Sequence, residues 1–191
     1  MSGLPGFRIA KFFEMFLSVL CSLAFLLSQT SALPADQLQR NVETGTLVIM
    51  NKCPFNVFYV VTGSTVSGVR ILGRCGSVSD KYRERTDGGG FSVKMSNSSW
   101  GVHDGVDQLQ FEYTVNQISR MIYWDFSSIN SYGVFVEQGF NATTSDPACE
   151  DKTCHAGDWN CYDAYQKPND DHATTACGLS SNITVVLCSE G

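Results

Sequence analysis

Apolar and polar positions alternate in short runs from Thr46 onward, and Gly, Asn, Asp and Ser punctuate the runs. A period of two sends successive side chains to opposite faces of a strand, whereas a helix needs apolar positions three and four apart. The pattern predicts strands over 46–51 (TLVIMN), 56–62 (NVFYVVT), 68–72 (GVRIL), 91–96 (FSVKMS), 109–115 (LQFEYTV), 121–127 (MIYWDFS), 133–138 (GVFVEQ) and 182–188 (NITVVLC). No segment sustains a helical period. Asp87-Gly88-Gly89-Gly90 marks a turn, because Gly takes positive φ without steric cost. Many short strands separated by turns predict an all-β sandwich or barrel.

One hairpin can be placed in register from its side chains. With Phe111 opposite Phe126, Tyr113 opposite Trp124 and Val115 opposite Ile122, three bulky pairs share one sheet face. A slip by one residue would turn that whole set to solvent, so the register is well specified. The same register sets Glu112 directly across from Asp125 on the other face. Opposed carboxylates destabilise a sheet unless something compensates, and such local conflicts concentrate at functional sites.

The two flanks differ. Residues 1–32 read as an export signal: Arg8 and Lys11, then the apolar run FLSVLCSLAFLL, then the small residues Thr30, Ser31 and Ala32 before Leu33. The apolar run is short for a bilayer span, which needs about 20 residues, so no stable membrane insertion is expected. Residues 33–44 read as a flexible polar lead, and 141–179 as a polar, acidic lobe tied by cysteines.

Removing the signal from 13 basic and 19 acidic residues leaves 11 basic and 18 acidic. That balance argues against nucleic acid as a partner, since phosphate binding is driven by Lys and Arg. Seven cysteines remain: Cys53, Cys75, Cys149, Cys154, Cys161, Cys177 and Cys188. In an exported chain they read as disulfides; six can pair, and the seventh is a free thiol or an intermolecular bridge. Asn97, Asn141 and Asn182 each begin an N-glycosylation triplet, consistent with export. No Cys-x2-Cys pair or calcium loop occurs, so neither a metal nor a cofactor is expected.

FEYTVNQ followed by IYWDFSSIN resembles the Glu-Phe-Thr-Leu-Asn-Gln and Tyr-Asp-Val-Ser strands of the thaumatin-like family. NKCPFNVF resembles its opening strand, and CYDAYQKPNDD and NITVVLC resemble its closing segments. The resemblance runs from about Gly45 to Cys188, and within that group it is strongest to the fungal Blastomyces yeast-phase-specific protein family. It implies a thaumatin-like antiparallel β-sandwich over 45–191 with a short disulfide-tied loop lobe. It also implies the pairings Cys53–Cys188, Cys149–Cys177 and Cys154–Cys161, leaving Cys75 unpaired in a monomer, or bridging a dimer. The expected role is extracellular: a secreted or wall-associated effector or antifungal protein that binds cell-wall polysaccharide or a host surface component.

Many thaumatin-like proteins carry a cleft of one Arg, one Glu and three Asp, associated with β-1,3-glucan binding and sometimes weak cleavage. Glu112 falls on the Glu and Asp125 on the first Asp. The second Asp position holds Asn130, the Arg position falls near Met95 with Lys94 the nearest cation, and the third Asp corresponds to Asp170 or Asp171. Hydrolysis of a glycoside needs two carboxyl groups, about 5–5.5 Å apart when configuration is retained. Residues opposed in a hairpin have Cβ atoms about 4.5–5.5 Å apart, so Glu112 and Asp125 suit an endo-β-1,3-glucanase as an alternative to binding alone. The competing reading has both carboxylates facing solvent, or Glu112 paired with Lys94. Tyr123, Tyr132, Trp100 and Trp159 are candidates for stacking on sugar rings, and His155 and His172 read as bystanders.

Overall fold

A computed structural model describes residues 43–131, 133–168 and 171–191, all within the unit Asn41–Gly191, with Asp171 described by its backbone alone. The expected export signal at 1–32, nearly all of the lead at 33–44, Tyr132 and Asp170 lie outside the described residues. The described strands form two sheets. In the first, β1 (Thr46–Asn51) pairs antiparallel with β4 (Ser77–Lys81) and parallel with β12 (Ile183–Leu187). β12 continues to β8 (Phe140–Thr144) and β8 to β9 (Lys152–Cys154), giving the order β4-β1-β12-β8-β9. In the second, β3 (Arg70–Leu72) pairs with β2 (Val57–Thr62), β2 with β5 (Phe91–Ser96), and β5 with β6 (Gln108–Asn116). β6 pairs with β7 (Met121–Asn130), whose other side takes β10 (Ala164–Tyr165) and β11 (Thr175–Gly178). The pairing is antiparallel except at β1–β12 and β7–β10, so both sheets are mixed.

Alternation places the core between the sheets. Leu47 and Ile49 of β1, Phe140 and Ala142 of β8, and Ile183, Val185 and Leu187 of β12 point inward from one side. Val93, Met95, Phe111, Trp124 and Phe126 point inward from the other. Trp124 stacks on Phe111 at a centroid distance of 5.6 Å and meets Phe126 edge-on at 6.2 Å. Rings of this size withdraw about 150–250 Å² each from water, roughly 4–6 kcal/mol at 25 cal/mol/Å². One buried side chain is polar for a reason. Asn51 donates to the carbonyls of Phe55, Leu72 and Gly73 and accepts from Cys53 N–H, fastening the turn after β1 to the end of β3 and the residue that follows it.

The sulfurs of Cys53 and Cys188 are bonded, as are those of Cys149 and Cys177 and of Cys154 and Cys161, with Cα separations of 4.9, 5.4 and 5.4 Å. Cys53–Cys188 joins the ends of the parallel strands β1 and β12. Cys149–Cys177 runs from the chain after β8 to β11, linking the two sheets along one side. Cys75 is free and exposed.

Two readings of the sequence change. Segment 133–138 is not a strand: after a first helical turn, α1 (Gly101–Asp104), the chain forms a second, α2 (Val134–Gln138). Here the chain leaves β7 of one sheet to enter β8 of the other. A helical turn satisfies its own backbone, with Glu137 N–H donating to Gly133 C=O, while Phe135 and Val136 bury in the gap. Position in the fold overrides the β propensity of Val-Phe-Val. Segment 141–179 is more than a loop lobe, because β8 lies inside the first sheet and β9, β10 and β11 extend both sheets. β4, SVSDK, is an edge strand whose mostly exposed, polar residues carry no apolar alternation.

Candidate functional site

β6 and β7 form the hairpin in the register that the aromatic pairs imply, with Phe111 opposite Phe126, Tyr113 opposite Trp124 and Val115 opposite Ile122. Glu112 is opposite Asp125, and Ser92 of β5 flanks Glu112 on the same row. The next row of this outer face holds Thr114 opposite Tyr123. Above these rows opens a cavity of about 450 Å³ lined by Ser92, Glu112, Thr114, Tyr123 and Asp125. Thr62, Gly63 and Phe91 wall it on one side, Arg85 and Gly90 close the end beside them, and Thr174 reaches in from the lobe. Ligand pockets range over about 300–1,000 Å³, so the space suits one or two sugar rings rather than a single ion.

The electrostatics of the pair are uneven. Burial, chiefly, and the charge of Glu112 push the Asp125 carboxyl from 3.8 up to about 7, against the opposing pull of Lys152. Asp125 Oδ1 is buried and has no hydrogen-bond partner among the described residues. A buried oxygen without a partner costs about 1–3 kcal/mol, more when charged, which favours the neutral carboxyl. Lys152, buried in β9, lies with its Nζ 5.8 Å from the Trp124 ring centroid, behind Asp125. Burial lowers its amine, while Asp163, Asp125 and Glu150 act in the opposite direction.

The cation at the cleft is Arg85, which the sequence reading passed over in favour of Lys94. Arg85 sits between β4 and β5, donating from Nε to Asp87 Oδ1 at 2.9 Å and from Nη1 to Gly90 C=O at 2.9 Å. Arg85 in turn holds the Asp87 carboxyl below its ordinary value, mainly through that hydrogen bonding. The Arg-x-Asp-Gly-Gly-Gly spelling was the available signal: a turn that returns an arginine onto its own carbonyls. Lys94 lies on the same outer face, opposite Gln110, but does not line the cavity and makes no ion pair among the described residues. Asn130 is opposite Gln108 at the far end of β7, five residues from Asp125, or roughly 17 Å along a strand. Asp170 lies outside the described residues, and Asp171 begins a short 3-10 helix ending at Ala173.

Of the stacking candidates, Tyr123 lines the cavity and is 39% exposed, whereas Trp100 and Trp159 are exposed elsewhere. His155 Nδ1 lies 2.6 Å from Glu190 Oε1, and His172 packs on Tyr162. The lobe's acids serve local structure: Asp151 accepts from Thr144 N–H, Asp158 from Asn160 N–H and Asp163 from Thr153 N–H. Asn97 and Asn182 are exposed, while Asn141 is half-buried within β8.

Comparison with known proteins follows the same lines. Residues 35–189 match the family described as Blastomyces yeast-phase-specific protein. The chain is 35% identical over 175 residues to the secreted thaumatin-like protein calA of Emericella nidulans, covering 91% of this chain and 98% of that one. It is 34% identical to an antigenic thaumatin-like protein of Arthroderma benhamiae, covering 77% of this chain and 72% of that one. Among solved structures, the protein elicitor MoHrip2 from Magnaporthe oryzae superposes with a TM-score of 0.62 at 20% identity, over 76% of this chain and 99% of that one, a likeness of fold.

Proposed function

The chain belongs to the Blastomyces yeast-phase-specific protein family, of thaumatin-like fold, and from that premise we propose that it is a secreted, non-catalytic binding protein for cell-wall β-glucan. The observation that carries this reading is the Glu112–Asp125 pair beneath an open polar cavity, with one carboxyl oxygen left without a partner. A sugar offers hydroxyls that both donate and accept. Asp125 in its neutral form donates to one, and the Glu112 carboxyl oxygens accept from another. Tyr123 beside them presents a ring face for the apolar side of a pyranose. The exposed Asn97 and Asn182 are the proposed glycan acceptors.

A second reading, weak endo-β-1,3-glucanase activity, has one specific observation in its favour. A carboxyl titrating at about 7 opposite another carboxylate is the pairing of general acid and nucleophile that glycoside cleavage uses. Calorimetric titration of laminarin, with a reducing-end assay on the same samples, separates the two. We expect wild type to bind without releasing reducing ends, and Glu112→Gln with Asp125→Asn to weaken binding about tenfold or more. Release of reducing ends that the double variant loses would replace binding by catalysis. No binding and no release would overturn both.

A further inference from the structure

A second cavity, of about 350 Å³, lies between the two sheets, on the inner face of the sheet whose outer face carries the acidic cleft, and shares only Tyr113 with that cleft. It opens where edge strand β4 of the first sheet faces edge strand β3 of the second. The disulfide between Cys149 and Cys177 ties the sheets along the opposite side, and no disulfide closes this one. The walls are apolar: Leu47, Ile49 and Val78 from one sheet, Tyr59, Val61 and Val93 from the other. The mouth is basic. Arg70 stands on one lip and Arg83 on the other, with one carboxylate, Asp80, inward opposite Leu47 and 3.6 Å from Arg83, while Lys81 alternates to the outer face.

That charge is against the trend of the chain, in which 13 Lys and Arg face 19 Asp and Glu, so two arginines against one carboxylate at an apolar slot are a local inversion. Among the described residues Arg70 and Lys81 form no ion pair. Arg70 occupies an inward position of β3, opposite the buried Tyr59, which aims its charge over the slot rather than away from the protein. Arg83 is held at the mouth with its guanidinium 4.9 Å from the Phe91 ring. Apolar walls with an unpaired arginine, Arg70, and a second arginine at the opening suit a molecule that is greasy along its length and negative at one end. At roughly 30 Å³ per water-sized group, the volume holds about a dozen such groups.

We propose that this slot binds a single-chain fatty carboxylate, its chain between the two sheets and its head group at Arg70 and Arg83. The test uses dodecanoate below its micellar concentration, titrated calorimetrically into the full secreted chain. Wild type should bind one equivalent, with dodecyl alcohol at least tenfold weaker for want of the charge. Arg70→Glu keeps a charge on the edge strand but reverses its sign, and should lower affinity at least tenfold. Val61→Trp, at a half-buried wall position, should abolish binding by filling the slot. Asp125→Asn and added laminarin should leave dodecanoate binding unchanged, which separates this site from the acidic cleft. Absence of saturable binding overturns the proposal, as does equal affinity for the alcohol or wild-type affinity in a folded Arg70→Glu variant. If Val61→Trp does not fold, the alcohol and Arg70→Glu decide.

Discussion

Replacing Asp125 by Asn should make the protein more stable, and increasingly so as pH rises. Below about pH 3 the Asp125 carboxyl is protonated in both folded and unfolded chains, so it contributes no pH dependence. As pH climbs, the unfolded chain ionises first, near the ordinary 3.8, while the folded chain resists until about 7. The folded state therefore loses stability throughout that interval, and above about pH 7 the loss is complete. At about 1.4 kcal/mol per pH unit the full effect is roughly 4 kcal/mol, and partial access of water to the cleft reduces it to about 2–4 kcal/mol. Urea unfolding followed by fluorescence of the buried Trp124 measures it directly. The stability difference between Asp125→Asn and wild type should be near zero at about pH 3 and reach about 2–4 kcal/mol at about pH 8. Glu112→Gln should remove only the smaller part of this dependence, because burial outranks the neighbouring charge. A difference that is flat with pH, or of opposite sign, would refute the account of a strained carboxyl pair.

Three further outcomes follow from other parts of the molecule. Asn51→Ala removes the side-chain bonds to three carbonyls, of which Gly73 C=O keeps Gly76 N–H, and to Cys53 N–H, and should cost about 2–3 kcal/mol by chemical denaturation. Cys75, exposed in a turn with φ of 57°, sits in the left-handed region that costs a non-glycine residue about 1–2 kcal/mol. Cys75→Gly should therefore raise stability by about 0.5–1 kcal/mol after the entropy of glycine is counted, and should abolish any disulfide dimer seen on non-reducing gels. Tyr123→Ala should weaken laminarin binding about tenfold while leaving the melting temperature nearly unchanged, since the ring is half-exposed.

The hairpin was legible because bulky pairs on one face permit one register, and that register alone fixes where Glu112 and Asp125 meet. The helical turn at Val134–Gln138 was not legible, since Val, Phe and Val are strand formers and only the crossing between sheets selects a helix. β4 left no trace for the opposite reason: an edge strand covered by water needs no apolar alternation. β8, β9, β10 and β11 were hidden by brevity and polarity, being held as much by neighbours and disulfides as by their own side chains. Arg85 entered the cleft through a turn, where sequence distance says little about spatial distance. Lys94 and Asn130 share the outer face with the acidic pair, but rows along a strand separate them from the cavity.

The first strand of the five-stranded sheet lies beside the last, and the Cys53–Cys188 bridge between their ends spans 135 positions of sequence. While the chain is being translated and exported, β1 emerges early and has no neighbour on that side until β12 follows. The central place in that sheet stays empty meanwhile, with β1 and β8 both exposing the edges that β12 will cover. Maturation in the secretory lumen must therefore wait for β12, and a chain clipped before Ile183 has no route to closure, however much of the hairpin it retains.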